Sequence, residues 1–117
     1  MRYVITLLAV AAALVPVTAF SASTGVARPT TLRITVGKHG VAGGPKKFTV
    51  RSGARVVLLV RSAIGKEVHL HGYDLERPVR RTAPTRIAFV ARVRGVFEIE
   101  LHVTESQELK IGQLTVR

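Results

Sequence analysis

Two of the chain's four histidines stand two residues apart in the stretch EVHLHGYDLE, residues 67–76. His69 and His71 alternate there with Val68 and Leu70, which predicts a strand with both imidazoles on the face opposite the apolar pair. Residues two apart on a strand are separated by about 6–7 Å along the backbone. A metal ion is able to bridge imidazoles at that spacing, so the pair is a candidate metal site.

A third histidine, His102, lies in the predicted strand VFEIELHV, in which apolar and polar residues alternate. If this strand pairs with the first one, facing residues lie about 5 Å apart, and His102 meets His69 and His71. Glu67 and Glu100 are nearby in sequence and offer carboxylates. Two or three imidazoles with a carboxylate suit Cu(II), Zn(II) or Ni(II).

Two other interpretations of these histidines remain open. In one, His69 and His71 are partly buried polar residues that hydrogen-bond to loop backbone. In the other, a histidine pair beside carboxylates titrates near neutral pH and acts as a pH sensor. The fourth histidine, His39, lies in the Gly-rich loop KHGVAGGPKK without a partner in sequence, and we expect no ligand role for it.

The N-terminal stretch MRYVITLLAVAAALVPVTA has the layout of a secretory signal peptide, with one Arg, an apolar run and a small-x-small end at Ala19. Pro16 interrupts the apolar run before the ~20 residues that a membrane span requires, although an uncleaved anchor is the alternative. The sequence therefore predicts a signal peptide at 1–19, a flexible leader at 20–30 and one domain at 31–117. That domain is expected to be secreted, periplasmic or part of the cell envelope.

Composition restricts the partners and the chemistry. The chain has no cysteine, which excludes disulfides, thiolate ligands and a cysteine nucleophile. Its 18 Lys+Arg against 7 Asp+Glu give a formal charge of +11, which favours an acidic envelope polymer, an anionic lipid surface or an acidic protein as partner. With 5% aromatic residues and no Trp, no nucleic acid is expected. The densest basic run, RPVRRTAPTR, is interpreted as a solvated loop, with docking to an anionic envelope surface as the alternative.

The pattern of apolar residues has a period of two through most of the chain. About seven short strands, separated by turn residues and without a helical period, predict an all-β sandwich or barrel. The continuous apolar run Ala54 to Val60 predicts a central strand that is covered on both faces. The predicted core comprises Leu32, Ile34, Val56, Leu58, Val68, Leu70, Phe89, Phe97, Ile99 and Leu101.

The order of these elements resembles the cupredoxin family, small copper-binding β-sandwiches, over most of residues 31–117. VHLHGYDLE is similar to the segment that supplies the family's first histidine ligand, and GVFEIELHVTESQELKIGQLTVR is similar to the C-terminal hairpin that carries its Cys, His and Met ligands. The resemblance implies a cupredoxin-like Greek-key β-sandwich, with His69 at the position of the first ligand.

The same resemblance implies that the blue-copper ligands are missing. Leu101 stands at the Cys position, Thr104 or a near neighbour at the second His position, and Leu109 or Ile111 at the Met position. A blue-copper site requires a Cys thiolate and two imidazoles, with a weak axial group that tunes the redox potential. We therefore do not expect a blue-copper electron carrier.

Two functions from different classes remain. One is an exported cupredoxin-like module that binds copper or another divalent metal ion through His69, His71 and His102. The other is a metal-free β-sandwich, without a cofactor, that serves as a structural or protein/envelope interaction module. We do not expect an enzyme, because no serine lies in a nucleophile-elbow context and Glu98 with Glu100 form an ordinary alternating pair.

Overall fold

The computed structural model describes residues 12–117, so the predicted signal peptide at 1–19 lies mostly outside the described residues. Residues 12–29 are exposed and carry neither strand nor helix. Among the described residues, no helix is long and apolar enough to cross a membrane. The remainder of the chain forms the strands β1 Thr30–Val36, β2 Lys46–Val50, β3 Arg55–Ser62, β4 Glu67–Leu70, β5 Leu75–Pro78, β6 Thr85–Val90, β7 Gly95–His102 and β8 Glu108–Val116.

The strands form two sheets that pack through a common core. The first has the order β1-β3-β6 and the second the order β2-β8-β7-β4-β5. Strand β1 pairs in parallel with β3, and β2 in parallel with β8, whereas the other pairs are antiparallel. The predicted all-β sandwich is confirmed. Strand β5 is an additional strand at the edge of the second sheet, and it overlaps the predicted loop at Arg77 and Pro78.

Alternation along the strands builds the core. In β4, for example, Val68 and Leu70 point into the sandwich and are completely buried. Eight of the ten predicted core residues are buried, and the exceptions are Phe89 and Phe97, which are only partly buried. Both phenylalanine rings lie 5.0 Å from the ring of Tyr73, so they form an aromatic cluster at one end of the sandwich rather than part of its centre.

The apolar strand β3 is central to its sheet, as predicted, but it is covered on one face only. Val56, Leu58 and Val60 are buried in the core. Val57 and Leu59 lie on the outer face, where they are half-buried. The prediction of cover on both faces was therefore wrong, because the three-stranded sheet has the other sheet on its inner side and no further strand of the described chain on its outer side.

Candidate metal centre

The outer face of the five-stranded sheet collects the histidines. Because Val68 and Leu70 point inward, His69 on β4 points outward. Its direct neighbours across the sheet are Glu100 on β7 and Glu76 on β5. In the adjacent row, His102 on β7 lies between Glu67 on β4 and Glu108 on β8. Each of the two histidines therefore has a carboxylate on the strand at either side.

Three side chains on this face converge on one point. One ligand atom each from His69, Glu100 and His102 lie within 4.8 Å of one another, and all three residues are half-buried. Ligands bound at about 2.0–2.2 Å to a tetrahedral metal ion lie roughly 3.4 Å apart. The three ligand atoms therefore need to move by only about 1 Å for all of them to bind one metal ion.

His102 supplies the strongest indication that the group has a ligand function. Its Nε2 atom is completely buried and has no hydrogen-bond partner. Glu108 Oε1 approaches this nitrogen to 3.4 Å, but the alignment does not meet hydrogen-bond geometry. A buried polar atom without a partner costs about 1–3 kcal/mol, and a metal ion placed among the three side chains would satisfy it.

His71 has a different position from its two companions. Its ring centroid lies 4.2 Å from that of His69, and its Nε2 donates a 2.6 Å hydrogen bond to Oε2 of Glu100. Because a carboxylate has two oxygens, Glu100 is able to accept this bond and still offer its other oxygen to a metal ion. The arrangement corresponds to a carboxylate ligand that is oriented by a second imidazole.

Lys110, which lies on this part of the face, forms its ion pair with Glu98 and not with Glu100. Lys110 lies directly opposite Glu100 in the strand register, but its ammonium group donates to Glu98 at 2.8 Å. This hydrogen bond and the charge of Lys110 hold the pKa of Glu98 below its ordinary value. A register shift between Ile99 and Glu100 marks a β-bulge here, and bulges re-aim neighbouring side chains.

Negative charge is concentrated on this face. Although the chain carries a formal charge of +11, most of its acidic residues lie on the outer face of the second sheet. We call this set the acidic face, and it comprises Glu67, Glu76, Glu98, Glu100 and Glu108. Such a surface raises the local concentration of cations.

The predicted site residues are thus brought to one surface, but His71 is not part of the converging group. The spacing of His69 and His71 predicted a shared face, and both rings lie on it with His102, whose ring centroid is 5.6 Å from that of His69. Glu100, noted in the sequence only as a nearby carboxylate, joins His69 and His102 in the converging group. His39 lies outside the group, in the turn after β1.

The positions carried over from the cupredoxin resemblance do not meet. Leu101, at the Cys position, is completely buried in the core, and its partner on β4 is Val68 rather than His69. A Cβ added at Gly65 would lie 2.7 Å from Leu101 Cγ, so the leucine side chain packs directly against this glycine. His69 and Leu101 therefore lie on opposite faces of the sheet.

Comparisons with known proteins identify the fold. No family model matches the chain, and no curated protein matches it in sequence. Many solved structures are similar in fold, and three of them illustrate the likeness. A copper binding protein in its apo form, solved by NMR, has a TM-score of 0.54 and 11% identity, over 74% of this chain and 86% of that chain.

The second structure is a chain of a heme-copper terminal oxidase dimer, with a TM-score of 0.53 and 13% identity, over 74% of this chain and 64% of that chain. The third is a mutant of amicyanin in its reduced Cu(I) form at pH 4, with a TM-score of 0.51 and 15% identity, over 79% of this chain and 87% of that chain. At these identities the likeness concerns the fold. Together with the two sheets described above, these likenesses show that the chain has a cupredoxin-like fold.

Proposed function

We propose that this chain is an exported cupredoxin-like domain that binds a divalent metal ion on the outer face of its five-stranded sheet. His69, Glu100 and His102 are the ligands, and His71 orients Glu100. The observation that carries the proposal is the buried, unpartnered Nε2 of His102, a residue whose ring offers a ligand atom within 4.8 Å of those of the other two residues.

The donor set favours Cu(II) over the reduced ion. Two imidazoles and a carboxylate suit Cu(II) or Zn(II), whereas Cu(I) is held by soft thiolate and thioether ligands. The chain has no cysteine, and its only methionine is Met1. Copper binding by two of the structural neighbours supports copper as the metal. The function that fits is the holding of copper rather than electron transfer, and we propose no enzymatic activity.

Calorimetry of the metal-free chain with Cu(II) and with Zn(II) at neutral pH tests the proposal. The double variant His69→Ala, His102→Ala removes two ligands and is expected to bind at least about 100-fold more weakly. Even the loss of a group that only orients a ligand costs about 10–100-fold in metal affinity. The matched control is His39→Ala, which removes an imidazole from an exposed loop and is expected to bind as the unaltered chain does.

Each outcome of this titration has a definite meaning. Loss of binding in the double variant alone supports the site. Equal binding by all three proteins places the metal elsewhere and overturns the assignment. If the unaltered chain binds neither ion, the metal-free interaction module is the function that remains.

A further inference from the structure

The outer face of the three-stranded sheet is opposite in charge to the acidic face. Its outward residues on β1, β3 and β6 include four exposed arginines. We call the set the basic face, and it comprises Arg33, Arg55, Arg61 and Arg86 with the intervening Val57, Leu59 and Ala88. No acidic residue occurs in these three strands, so the face carries one sign of charge.

The arginines on this face form no ion pair with another described residue. Among residues 12–117, the cations that form ion pairs with carboxylates are Lys66, Lys110 and histidines, and no arginine is among them. The carboxylates lie mainly on the acidic face, on the other side of the sandwich. The four arginines of the basic face and the five glutamates of the acidic face therefore lie on opposite outer surfaces of the sandwich.

Apolar side chains separate the arginines. In the strand register, Leu59 lies between Arg33 on β1 and Arg86 on β6. The two arginines are two strands apart, about 10 Å. Leu59 and Val57 are half-buried on this side. Strand β3 is thus apolar on both faces, and no further strand of the described chain covers its outer face. The basic face thus combines guanidinium groups with apolar side chains that have no layer over them.

We propose that the basic face docks on the surface of an anionic phospholipid bilayer. Guanidinium groups bind phosphate oxygens in bidentate geometry, and Leu59 and Val57 are placed to enter the boundary between headgroups and acyl chains. Stable attachment to a bilayer usually combines an apolar element with a basic patch.

A second feature favours a bilayer over an acidic protein. The segment that precedes β1 exposes large apolar side chains, and it enters the fold at the edge strand of this same sheet. Beyond the predicted signal peptide at 1–19, the exposed residues are Phe20 and Val26. Pro29, at the end of this segment, lines a shallow groove on the basic face with Arg55 and Arg86. Two exposed apolar side chains therefore precede, in the chain, the edge strand of the basic face.

Docking in this way would orient the molecule. The two outer faces point in opposite directions, so a chain that lies on a bilayer with its basic face presents the acidic face to the aqueous side. His69 and His102 would remain open to metal ions in solution. The docking itself requires no metal ion, so its test is independent of the proposed metal site.

Vesicle sedimentation of the exported chain, which lacks the predicted signal peptide at 1–19, tests the proposal in the presence of a chelator. The probes are vesicles of phosphatidylglycerol and phosphatidylcholine in equal amounts, compared with phosphatidylcholine alone, at about 0.1 M salt. The triple variant Arg33→Gln, Arg61→Gln, Arg86→Gln is expected to bind the anionic vesicles about 100-fold more weakly, because each basic residue near such a surface contributes roughly fivefold.

The matched control is Arg51→Gln, Arg94→Gln, Arg117→Gln, which removes the same charge from a groove lined by these three arginines. It is expected to weaken binding by less than about fivefold, since these positions adjoin the ends of β2, β7 and β8 in the other sheet. Equal weakening in the two triple variants overturns the proposal, because binding then depends on net charge alone. Equal binding of the unaltered chain to both kinds of vesicle also overturns it.

A tryptophan probe gives a second, independent measurement of orientation. The chain has no Trp, so Leu59→Trp and Val96→Trp each introduce a single fluorophore, the first on the basic face and the second on the outer face of the other sheet. Anionic vesicles are expected to shift the emission of Leu59→Trp to shorter wavelength and to leave Val96→Trp unchanged. A shift in Val96→Trp alone, or in neither, overturns the proposal.

Acidic polymers provide the remaining comparison. Binding of the unaltered chain to soluble polyglutamate but not to anionic vesicles would assign the basic face to an acidic protein and would overturn the lipid assignment. Light scattering without vesicles detects association of the basic face with the acidic face of a second copy, and such assembly in place of vesicle binding also overturns it.

Discussion

His71 donates a 2.6 Å hydrogen bond from Nε2 to Oε2 of Glu100, and this bond fixes the carboxylate beside His69 and His102. Since Lys110, which faces Glu100 in the register, is bound to Glu98, the imidazole of His71 is the group that orients Glu100. Sequence spacing alone does not distinguish His69 from His71, whereas in the proposed metal site His69 is a ligand and His71 orients Glu100.

Replacement of His71 by Ala is therefore expected to weaken Cu(II) binding by about 10–100-fold, the range found for groups that orient a metal ligand. Loss of a direct ligand, as in His69→Ala, is expected to cost more. Calorimetry measures both affinities, and electron paramagnetic resonance of the bound Cu(II) reports whether the number of nitrogen ligands has changed.

His71→Gln is the conservative variant for this prediction. A glutamine side chain retains an N–H donor for Glu100 and is expected to recover part of the lost affinity. If His71→Ala instead removes a nitrogen ligand from the resonance spectrum, His71 is itself bound to the metal and its positioning role is wrong.

Metal affinity is expected to fall as the solution becomes acidic. His69 and His102 must both be neutral to bind a metal ion, and protons compete for imidazole as the pH falls from about 7.5 to about 5.5. We expect Cu(II) affinity to decrease by about 100-fold over this interval, which calorimetry at several pH values measures. An affinity that stays constant over the interval would contradict a histidine site. The double variant that lacks both histidines serves as the control and should show a weaker dependence on pH.

Alternation predicted the faces of the strands well, because the period of two is a property of consecutive residues. It placed His69, His71 and His102 on the polar side of β4 and β7, and it identified most of the core. Alternation did not predict that Glu76 and Glu108 are neighbours of these histidines. They lie beside His69 and His102 only because β5 and β8 pair with β4 and β7.

Both pairings join consecutive strands, but alternation within one strand does not fix which residues of the next strand face it. Strand β5 was also missed, because its four residues, Leu75–Pro78, contain one apolar side chain other than proline. Its position at the sheet edge explains why Pro78 is tolerated, since an edge strand needs fewer backbone donors. The partial exposure of Phe97 likewise depends on its place at the end of the sandwich.

Restoring a cysteine at the position implied by the cupredoxin resemblance is not expected to restore blue copper. In Leu101→Cys the thiol would lie in the core opposite Val68, while His69 lies on the other face of the sheet. We expect no intense visible absorption with Cu(II), since thiolate-to-copper charge transfer requires both kinds of ligand on one metal ion. We also expect a loss of about 2 kcal/mol in stability from the truncated core side chain. Absorption spectroscopy and denaturant unfolding measure the two effects, and an intense band would show that the faces are wrongly assigned.

Gly72 lies just after β4 and directly before Tyr73 of the aromatic cluster. Its replacement by Ala is expected to destabilise the chain by about 2–4 kcal/mol. Its φ of 78° is a conformation that favours glycine, and an added Cβ would collide with the ring of Phe97. Gly43→Ala is the matched control, since Gly43 has a φ of 79° and nothing within 4 Å of an added Cβ. That variant is expected to lose only the ~1 kcal/mol of backbone strain. Denaturant unfolding of both variants measures the difference, which isolates the contact with Phe97. Equal losses would mean that the Phe97 ring moves aside at no cost.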